Sequence, residues 1–532
     1  MSPSLLQIDA DVLQCVTSLL NPSDLLSLSS TCSPLRAILG PPFFASCRWQ
    51  KDKAPPASVW PYVRHLYIDT DNKYSINSKF FHDLSRLQSV HISAQAVSAN
   101  MIYILSVASE IDTLDLSSLC YRPQGCNMAV QYEPLDGFPP LSCRPTILKF
   151  CSHLGKQYTH APDINIHRSR IRATRYPLVT LLHEMDVAQI KVFEVSAEAL
   201  SLPHAVAYTW SSLRELTITG FWLHACDGPG VLDDSDTGTP AWIYDHLHLG
   251  TLLIATPRLR VLRLLCRYAD YLSRPQCDVW PPGEPAPSSG TAIPLLEELQ
   301  LCNPVASDGI FTQLQPSLRS LSLLSRPHLT QKTDENTQEE LEITEALDSN
   351  ETLVPSALIR LLSAASLPDL RELRFSFRNL EDMHLFEFIA ARFPCLELLE
   401  FHAETGPGCL WTADDLAECA RALSTLARLR VLRVNTFYKV LLRDNRDTEE
   451  YWEALVRYRW GIPRENVVAA LFGPLRTVRE VWLPLRRSVG YSRHGNRVLA
   501  WRDWQVHRVD WDETGGASIH EEGSPISMNS DE

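Results

Sequence analysis

Several features that would point to an exported or membrane-bound protein are missing from this sequence of 532 residues. No apolar run approaches the ~18 residues of a membrane-spanning helix. The first residues lack a basic start and carry Asp9 and Asp11, unlike a signal peptide. The 14 cysteines include no CxxC pair and no dense short framework. We therefore expect a protein of the cytoplasm or nucleus, with reduced thiols and no membrane contact.

Acidic residues outnumber basic residues in this sequence, and the excess is confined to two segments. The net charge is −14, and two segments hold all of it. Lys332 to Thr352 contains eight acidic residues and one lysine, and Asp510 to Glu532 contains seven acidic residues and no lysine or arginine. Each segment therefore contributes −7, and the remaining chain is neutral. A neutral body lacks the basic surface that sequence-independent nucleic-acid binding uses, so we expect no nucleic-acid partner.

Motifs for catalysis and cofactor binding are also absent. GxSxG, HExxH, GxGxxG and GxxxxGK[ST] do not occur in the sequence. His246-Leu247-His248 falls in a stretch with helical character, where residues two apart face different ways. We expect no catalytic residue, no metal site and no cofactor.

The first fifty residues predict three short helices. Apolar residues recur at helical spacing from Val12 to Leu20 and form one face. Asn21-Pro22 is a favourable helix start, with Asp24 in the first turn, where the helix dipole favours negative charge. Ser33-Pro34 predicts a third helix, which we expect to end at Gly40. About forty residues bury too little surface to be stable without help, so the rest of the chain or a partner must cover this unit.

The same segment resembles an F-box. The matching features, in order, are Asp11-Val12-Leu13, Pro22-Ser23-Asp24-Leu25-Leu26, Thr31-Cys32, Leu35-Arg36 and Trp49. The resemblance implies binding to the Skp-type adaptor of a Skp–cullin–F-box ubiquitin ligase and, through the adaptor, to cullin. It also implies these adaptor-binding residues: Val12, Leu13, Val16, Pro22, Leu25 and Leu28.

A second pattern, apolar-x-x-apolar-x-apolar, occurs twelve times after the first fifty residues. The central residues are Leu66, Val90, Leu114, Phe193, Leu216, Leu262, Leu299, Leu321, Leu373, Leu399, Leu432 and Val481. The last two apolar positions of each copy lie on one side of a strand. Segments between copies have helical spacing, and Thr412 with Asp415 resembles a capping box. A strand, a turn and a helix in each unit resemble a leucine-rich repeat, whose units stack into a curved solenoid.

The predicted fold is therefore α/β, with an N-terminal three-helix F-box followed by a curved leucine-rich-repeat-like solenoid of short parallel strands and helices. We disfavour a Rossmann-like sheet because the nucleotide-binding motifs are absent. Whether residues 123–190 complete the solenoid or form a separate lobe stays open. The predicted domains are the F-box at 1–50, the solenoid at 51–509 with surface-loop insertions at 122–145, 226–240, 275–294 and 332–352, and a disordered acidic tail at 510–532.

In such an array the residue between the last two apolar positions faces the concave side. These residues are Tyr67, His91, Asp115, Glu194, Thr217, Arg263, Gln300, Ser322, Arg374, Glu400, Arg433 and Trp482. The column mixes charge, size and aromatic character, which suits recognition of one protein surface. An exposed tryptophan is costly unless it is used, which favours Trp482. The candidate substrate-binding residues are Tyr67, His91, Arg263, Arg374, Arg433 and Trp482.

We predict a non-catalytic substrate-recognition subunit of a Skp–cullin–F-box ubiquitin ligase, with an unidentified protein substrate. The first alternative is a leucine-rich-repeat-like interaction scaffold with no ligase role, whose helices merely cap the solenoid. Ile8-Asp9, where F-boxes usually carry Leu-Pro, keeps that alternative open. The second, a metal-dependent or hydrolytic enzyme, has no motif in its favour.

Overall fold

The computed structural model divides the chain into two compact units, Met1–Leu247 and His248–Glu532. It describes the following residues: 12, 15–17, 19–50, 55–70, 84–94, 110–121, 143–154, 175, 178–221, 248–267, 278–280, 293–324, 352–378, 383–404, 411–438, 464–491, 497–511 and 517–527.

The first unit is built on seven parallel strands. They pair in chain order from β1 to β7. The described strands are β1 (Ser46–Gln50), β2 (His65–Thr70), β3 (Ser89–Ala94), β4 (Thr113–Tyr121), β5 (Ile147–Leu154), β6 (Val192–Ser196) and β7 (Glu215–Phe221). The described α-helices are α1 (Pro22–Thr31), α2 (Ser33–Phe43) and α3 (Leu202–Val206), and two 3-10 helices span Ala57–Tyr62 and Val187–Gln189.

The second unit also has strands separated by helices, but its last three strands are antiparallel. Strands β8 to β14 are parallel and pair in chain order, whereas β14, β15 and β16 are antiparallel. The strands are β8 (Val261–Arg267), β9 (Glu298–Leu301), β10 (Ser320–Leu323), β11 (Glu372–Arg378), β12 (Leu398–Glu404), β13 (Val431–Tyr438), β14 (Glu480–Tyr491), β15 (Arg497–Trp511) and β16 (Ala517–Ser527). The described helices are α4 (Leu249–Ile254), α5 (Ile310–Gln313), α6 (Pro355–Ser363), α7 (His384–Arg392), α8 (Ala413–Leu423) and α9 (Arg464–Phe472).

The repeated apolar pattern forms the core of both units, as predicted. Each of the twelve copies lies on a strand, and its three apolar side chains are at most 5% exposed. Central residues of neighbouring copies are directly opposite each other, as for Leu66 and Val90, or Leu373 and Leu399. This parallel stacking of strands with a shared buried side is an α/β leucine-rich-repeat-like arrangement.

A recurring pattern of backbone hydrogen bonds accompanies this register. The carbonyl oxygen just before a strand accepts from two successive N–H groups at the start of the next strand, at 2.7–3.1 Å. For example, the Arg371 carbonyl accepts from Glu397 and Leu398, and the Glu397 carbonyl accepts from Arg430 and Val431. Since only main-chain atoms take part, the side chains at these positions are free to vary.

The helix-start predictions are confirmed, and the predicted helix stop is wrong. The Asn21 side chain caps α1, and Thr412 with Asp415 forms the capping box of α8. Cys32, rather than Ser33, is the N-cap residue of α2. This helix continues through Gly40 to Phe43, because a proline removes only its own N–H donor and the Phe44 N–H still reaches the Gly40 carbonyl at 2.9 Å.

The structure answers one open question, about residues 123–190, and differs from two expectations, for 275–294 and 510–532. Within 123–190, β5 pairs with both β4 and β6 and so continues the strand ladder. The expected loop at 275–294 contains Val279 and Trp280, which are both 2% exposed and belong to the core. The expected disordered tail at 510–532 includes the end of β15 and all of β16, because antiparallel pairing with β15 satisfies the β16 backbone.

The other three predicted insertions are 122–145, 226–240 and 332–352. Of these, only residues 143–145 and 352 are described in the structure. None of the helices in the described part of the chain has the length and apolar character needed to span a bilayer.

Candidate interaction faces

The predicted column is present in the first unit and has one additional member. Tyr67, His91, Asp115, Lys149 and Glu194 lie opposite one another on successive strands. Thr217 follows Glu194 in the same register. We call these six residues the first-unit column. Sequence reasoning missed Lys149, because the pattern on β5 begins with a proline instead of an apolar residue.

Side chains of the first-unit column interact in pairs. The Tyr67 and His91 ring centroids are 5.5 Å apart, and His91 Nδ1 lies 3.0 Å from Asp115 Oδ2. Lys149 Nζ lies 3.0 Å from Glu194 Oε2. These side chains are partly exposed, and Tyr67 is 47% exposed. The column is therefore an accessible row of an aromatic ring, an imidazole and paired charges.

Two pKa shifts keep charge on this row. Burial would raise the pKa of Asp115, but hydrogen bonds from Ser117 and the contact with His91 lower it overall. The hydrogen bond to Glu194 raises the pKa of Lys149, against the opposing effect of burial. Both residues are therefore ionised at neutral pH.

The second-unit column contains Arg263, Gln300, Ser322, Arg374, Glu400, Arg433 and Trp482 in continuous register. Its centre is Glu400, whose side chain is 6% exposed. Glu400 Oε1 lies 2.7 Å from His402 Nε2, and Glu400 Oε2 lies 3.2 Å from Arg433 Nη1 and 4.0 Å from Arg374 Nε. Burial alone would raise the pKa of Glu400, but the His402 hydrogen bond and the His402, Arg433 and Arg374 charges hold it at about 2.

The cluster around Glu400 extends to an aromatic ring. The Arg433 guanidinium carbon lies 3.9 Å from the Trp482 ring centroid, a cation–π contact. Trp482 Nε1 donates to Glu480 Oε2 at 3.0 Å. Trp482 is only partly buried, and the arginine covers part of its ring. At the other end of the column, Arg263 pairs with Glu298 at 2.7 Å.

The chain itself covers this end of the second-unit column. His402 lies on β12, on the same side as Glu400, and its ring centroid is 5.7 Å from that of Trp504 on β15. Strands β12 and β15 are three positions apart, about 14 Å in a flat sheet. The His402 and Trp504 side chains therefore lean toward each other across the intervening strands. Arg433, His402 and Asn435 are at most 7% exposed.

Besides the partly buried Trp482, the candidate substrate-binding residues fall into two groups. Tyr67 and His91 are accessible, and the Arg263 side chain is 33% exposed. The side chains of Arg374 and Arg433 are 20% and 9% exposed and lie inside the Glu400 cluster. Their charges are already engaged by carboxylates, which limits what they can offer to another molecule.

Apolar side chains are exposed in the N-terminal segment, before α1 and on α2. Val12 is 53% exposed, Val16 46%, Leu19 87% and Ile38 42%. The core of this segment is small and consists of Leu35 and Leu39, with Leu28 packed against them.

The other predicted adaptor-binding positions are less exposed or cannot be placed. Leu25 is half-buried. Leu13 and the side chain of Pro22 lie outside the described residues. The exposed set therefore includes Leu19 and Ile38, which were not among the residues implied by the resemblance.

Within the described residues, no group of three or more His, Cys, Asp or Glu side chains could hold a metal ion. No protein-family model matches the sequence, and no curated protein matches it.

Solved structures that are similar to this chain include two leucine-rich-repeat-type proteins of very low sequence identity. An internalin (InlF) from Listeria monocytogenes is 9% identical, with 78% of this chain and 88% of that chain covered and a TM-score of 0.29. The leucine-rich repeat-containing protein LegL7 from Legionella pneumophila is 10% identical, with coverage of 85% and 92% and a TM-score of 0.29. The repeat assignment for this chain rests on its own strand register and burial.

Proposed function

We propose that this chain is the substrate-recognition subunit of a Skp–cullin–F-box ubiquitin ligase. In this proposal the N-terminal helices bind a Skp-type adaptor, and the accessible first-unit column contributes to binding a protein substrate. The chain makes no bond itself. It raises the effective concentration of the substrate near the ubiquitin-loaded enzyme.

The exposed apolar side chains of the N-terminal helices are the observation that carries the proposal. Val12, Val16 and Leu19 recur at helical spacing, and all three are 46% exposed or more. A cluster of large apolar side chains left in water is the usual mark of a surface that another protein covers. The F-box resemblance names that protein as the adaptor, since the same segment carries the matching motif.

The proposal is tested by capture of a purified Skp-type adaptor with the full chain. Val16→Asp and Leu19→Asp place charge on the exposed apolar face without disturbing buried core. We expect each to weaken adaptor binding at least tenfold, because burying an unpaired carboxylate at an interface is costly. Ile254→Asp is the matched control, since Ile254 is also 46% exposed but lies on α4 of the second unit.

Adaptor binding at micromolar concentration that is lost in Val16→Asp and kept in Ile254→Asp supports the proposal. If the unmodified chain fails to bind the adaptor at that concentration, the ligase role is rejected. Protein interaction through the column would then remain as the broader function, because the stacked strands and the accessible row of side chains do not depend on the adaptor.

A further inference from the structure

Seven residues of the second unit stand directly before consecutive strands, from β8 to β14, along the amino-terminal edge of the parallel strands. Their main chains are joined one to the next, because the backbone N–H of each donates to the carbonyl of the previous one at 2.7–2.8 Å. With strands about 4.8 Å apart, the seven residues span roughly 29 Å. These residues, which we call the edge row, are Arg260, Glu297, Arg319, Arg371, Glu397, Arg430 and Arg479.

Arginine is far more frequent in the edge row than in the whole chain. Five of the seven positions are arginine, although lysine and arginine together make up only 49 of 532 residues. Only main-chain atoms join the row, and all five arginines are exposed. Neither the core nor the strand register therefore requires arginine at these positions.

Two of the five arginines are paired within the edge row. Arg260 Nη1 lies 3.3 Å from Glu297 Oε1, and Arg371 Nη1 lies 3.5 Å from Glu397 Oε1. All four of these side chains are 40–53% exposed. These two pairs use both glutamates of the row, so the three other arginines have no acidic partner inside it.

The three other arginines keep an uncompensated charge. Arg319 and Arg479 form no side-chain ion pair with another described residue. Arg430 Nη1 donates to the Thr477 carbonyl at 2.9 Å, and this partner is neutral. The edge row therefore presents three exposed and unpaired positive charges to solvent.

The sequence just before the edge row adds further positive charge. Among the three positions that precede each member of the row, charged residues occur four times, and all four are exposed. Three of the four are arginines, so the edge stays basic in a chain whose net charge is −14. The four residues are Arg258, Asp369, Arg428 and Arg476.

The acidic residues that begin strands beside the edge row are engaged elsewhere. Each of the three glutamates at the first position of a strand pairs with an arginine that lies on a strand. The pairs are Glu298 with Arg263 at 2.7 Å, Glu372 with Arg374 at 3.4 Å, and Glu480 with Arg508 at 3.2 Å. On the strand after the row, the Asp510 carboxylate lies 3.8 Å from His520 Nε2.

We propose that the edge row binds an acidic segment of a partner protein. At about 3.3 Å per residue, an extended segment of about nine residues spans the row. Each guanidinium is a planar fork of N–H donors that fits a carboxylate, and successive arginines can pair with successive carboxylates without meeting at one point. This inference does not depend on the adaptor or on the ligase role.

Nucleic acid matches the edge row less well than an acidic polypeptide does. Glu297 and Glu397 would repel phosphate groups along the row. The row also contains no aromatic side chain on which a base could stack, which is a common feature of single-strand binding surfaces. An acidic polypeptide can place its uncharged residues opposite these two glutamates.

The test is fluorescence anisotropy of a labelled peptide of about ten glutamates, titrated with the full chain at ~50 mM and ~500 mM salt. We expect binding at the lower salt concentration and its loss at the higher one, because salt screens exposed charges. Arg319→Gln/Arg430→Gln/Arg479→Gln should weaken binding roughly tenfold or more, since each exposed ion pair contributes up to about fivefold.

The matched control removes the same charge from the first unit. It is Arg36→Gln/Arg86→Gln/Arg214→Gln, at three exposed positions, and it should leave binding within about twofold of the unmodified chain. An equal loss of affinity in both triple variants would show that only net charge matters, and it overturns the proposal.

A gain of affinity guards against misfolded variants. Glu297→Gln/Glu397→Gln frees Arg260 and Arg371 and removes two repelling charges, so it should tighten peptide binding by about threefold. Damage to the fold would not produce this gain, and unchanged or weaker binding contradicts the proposal.

Three further outcomes overturn the proposal. One is no peptide binding at ~100 μM chain. Another is tighter binding of an oligothymidylate of about ten nucleotides, lost in Arg319→Gln/Arg430→Gln/Arg479→Gln, which assigns the row to nucleic acid. The third is peptide binding that appears only after the eight acidic residues between Lys332 and Thr352 are replaced by amides, which assigns the row to this chain's own segment.

Discussion

The indole ring of Trp504 lies against the imidazole ring of His402, with 5.7 Å between centroids and 69° between planes. This contact joins the C-terminal hairpin to a parallel strand of the second unit, at the histidine that hydrogen-bonds to Glu400. Trp504 is 1% exposed although it lies on one of the last strands of the chain. The hairpin is therefore part of the folded second unit.

Trp504→Ala should open this cover. Removing a fully buried tryptophan side chain costs roughly 3–5 kcal/mol of unfolding free energy. We expect faster amide hydrogen exchange in β12 and β13, where the hairpin packs, measured by mass spectrometry of the full chain. Trp511→Ala, on the same strand but only partly buried, is the control and should leave exchange in β12 unchanged. Equal exchange in both variants would contradict the packing of Trp504 against His402 on β12.

Glu400→Gln should destabilise the second unit more than an equivalent change on the surface. Glu400 faces Arg433 inside the cluster, and breaking a buried ion pair typically costs about 3–5 kcal/mol because the remaining charge is left uncompensated. Glu397→Gln is the control: it breaks a pair with Arg371 whose side chains are about half exposed, which should cost at most ~1 kcal/mol. Urea unfolding of both variants checks the difference.

The same residue predicts an acid dependence. The folded pKa of Glu400 is about 2, below its ordinary value of 4.5. A carboxyl with a lowered folded pKa contributes stability above its unfolded pKa and loses it as the pH falls toward the folded pKa. The unfolding free energy of the unmodified chain should therefore fall more steeply than that of Glu400→Gln between these two values. Parallel slopes would show that folding does not lower the pKa of Glu400.

Asp308 should make the unfolding free energy change with pH in the opposite direction. Burial raises its pKa from 3.8 to about 6, although three backbone hydrogen bonds oppose the shift. The ionised carboxylate therefore lowers stability above the folded pKa, and this penalty disappears as the pH falls below the unfolded value. Relative to Asp308→Asn, the unmodified chain should gain on the order of 3 kcal/mol across that window. Denaturant unfolding at several pH values measures the gain, and a constant difference between the two chains would refute it.

The strands were predictable because their signal is local. Three apolar side chains within six residues specify one buried strand, and the spacing needs no knowledge of the rest of the chain. The same reasoning failed on β5, where Pro145 stands at the first apolar position, and with β5 it failed to find Lys149. Capping signals were equally local, so the starts of α1 and α8 followed from Asn21 and from Thr412 with Asp415.

The accessibility of the columns could not be predicted in the same way. Which positions face outward follows from the two-residue period of a strand, but whether another segment covers them depends on contacts between distant residues. Arg433 and Arg374 occupy the predicted positions, yet their side chains are only 9% and 20% exposed and are paired with carboxylates. A role in substrate contact stays a prediction for all six candidate residues: Tyr67, His91, Arg263, Arg374, Arg433 and Trp482.

The backbone hydrogen bonds before each strand have a consequence for how this chain can change. Ser320 and Glu372 are neighbours in register although 52 residues separate them, whereas His65 and Ser89 are neighbours with a separation of 24. Main-chain anchoring thus tolerates connections of very different length. Insertions and deletions between two strands can therefore change the length of a connection without changing which strands pair.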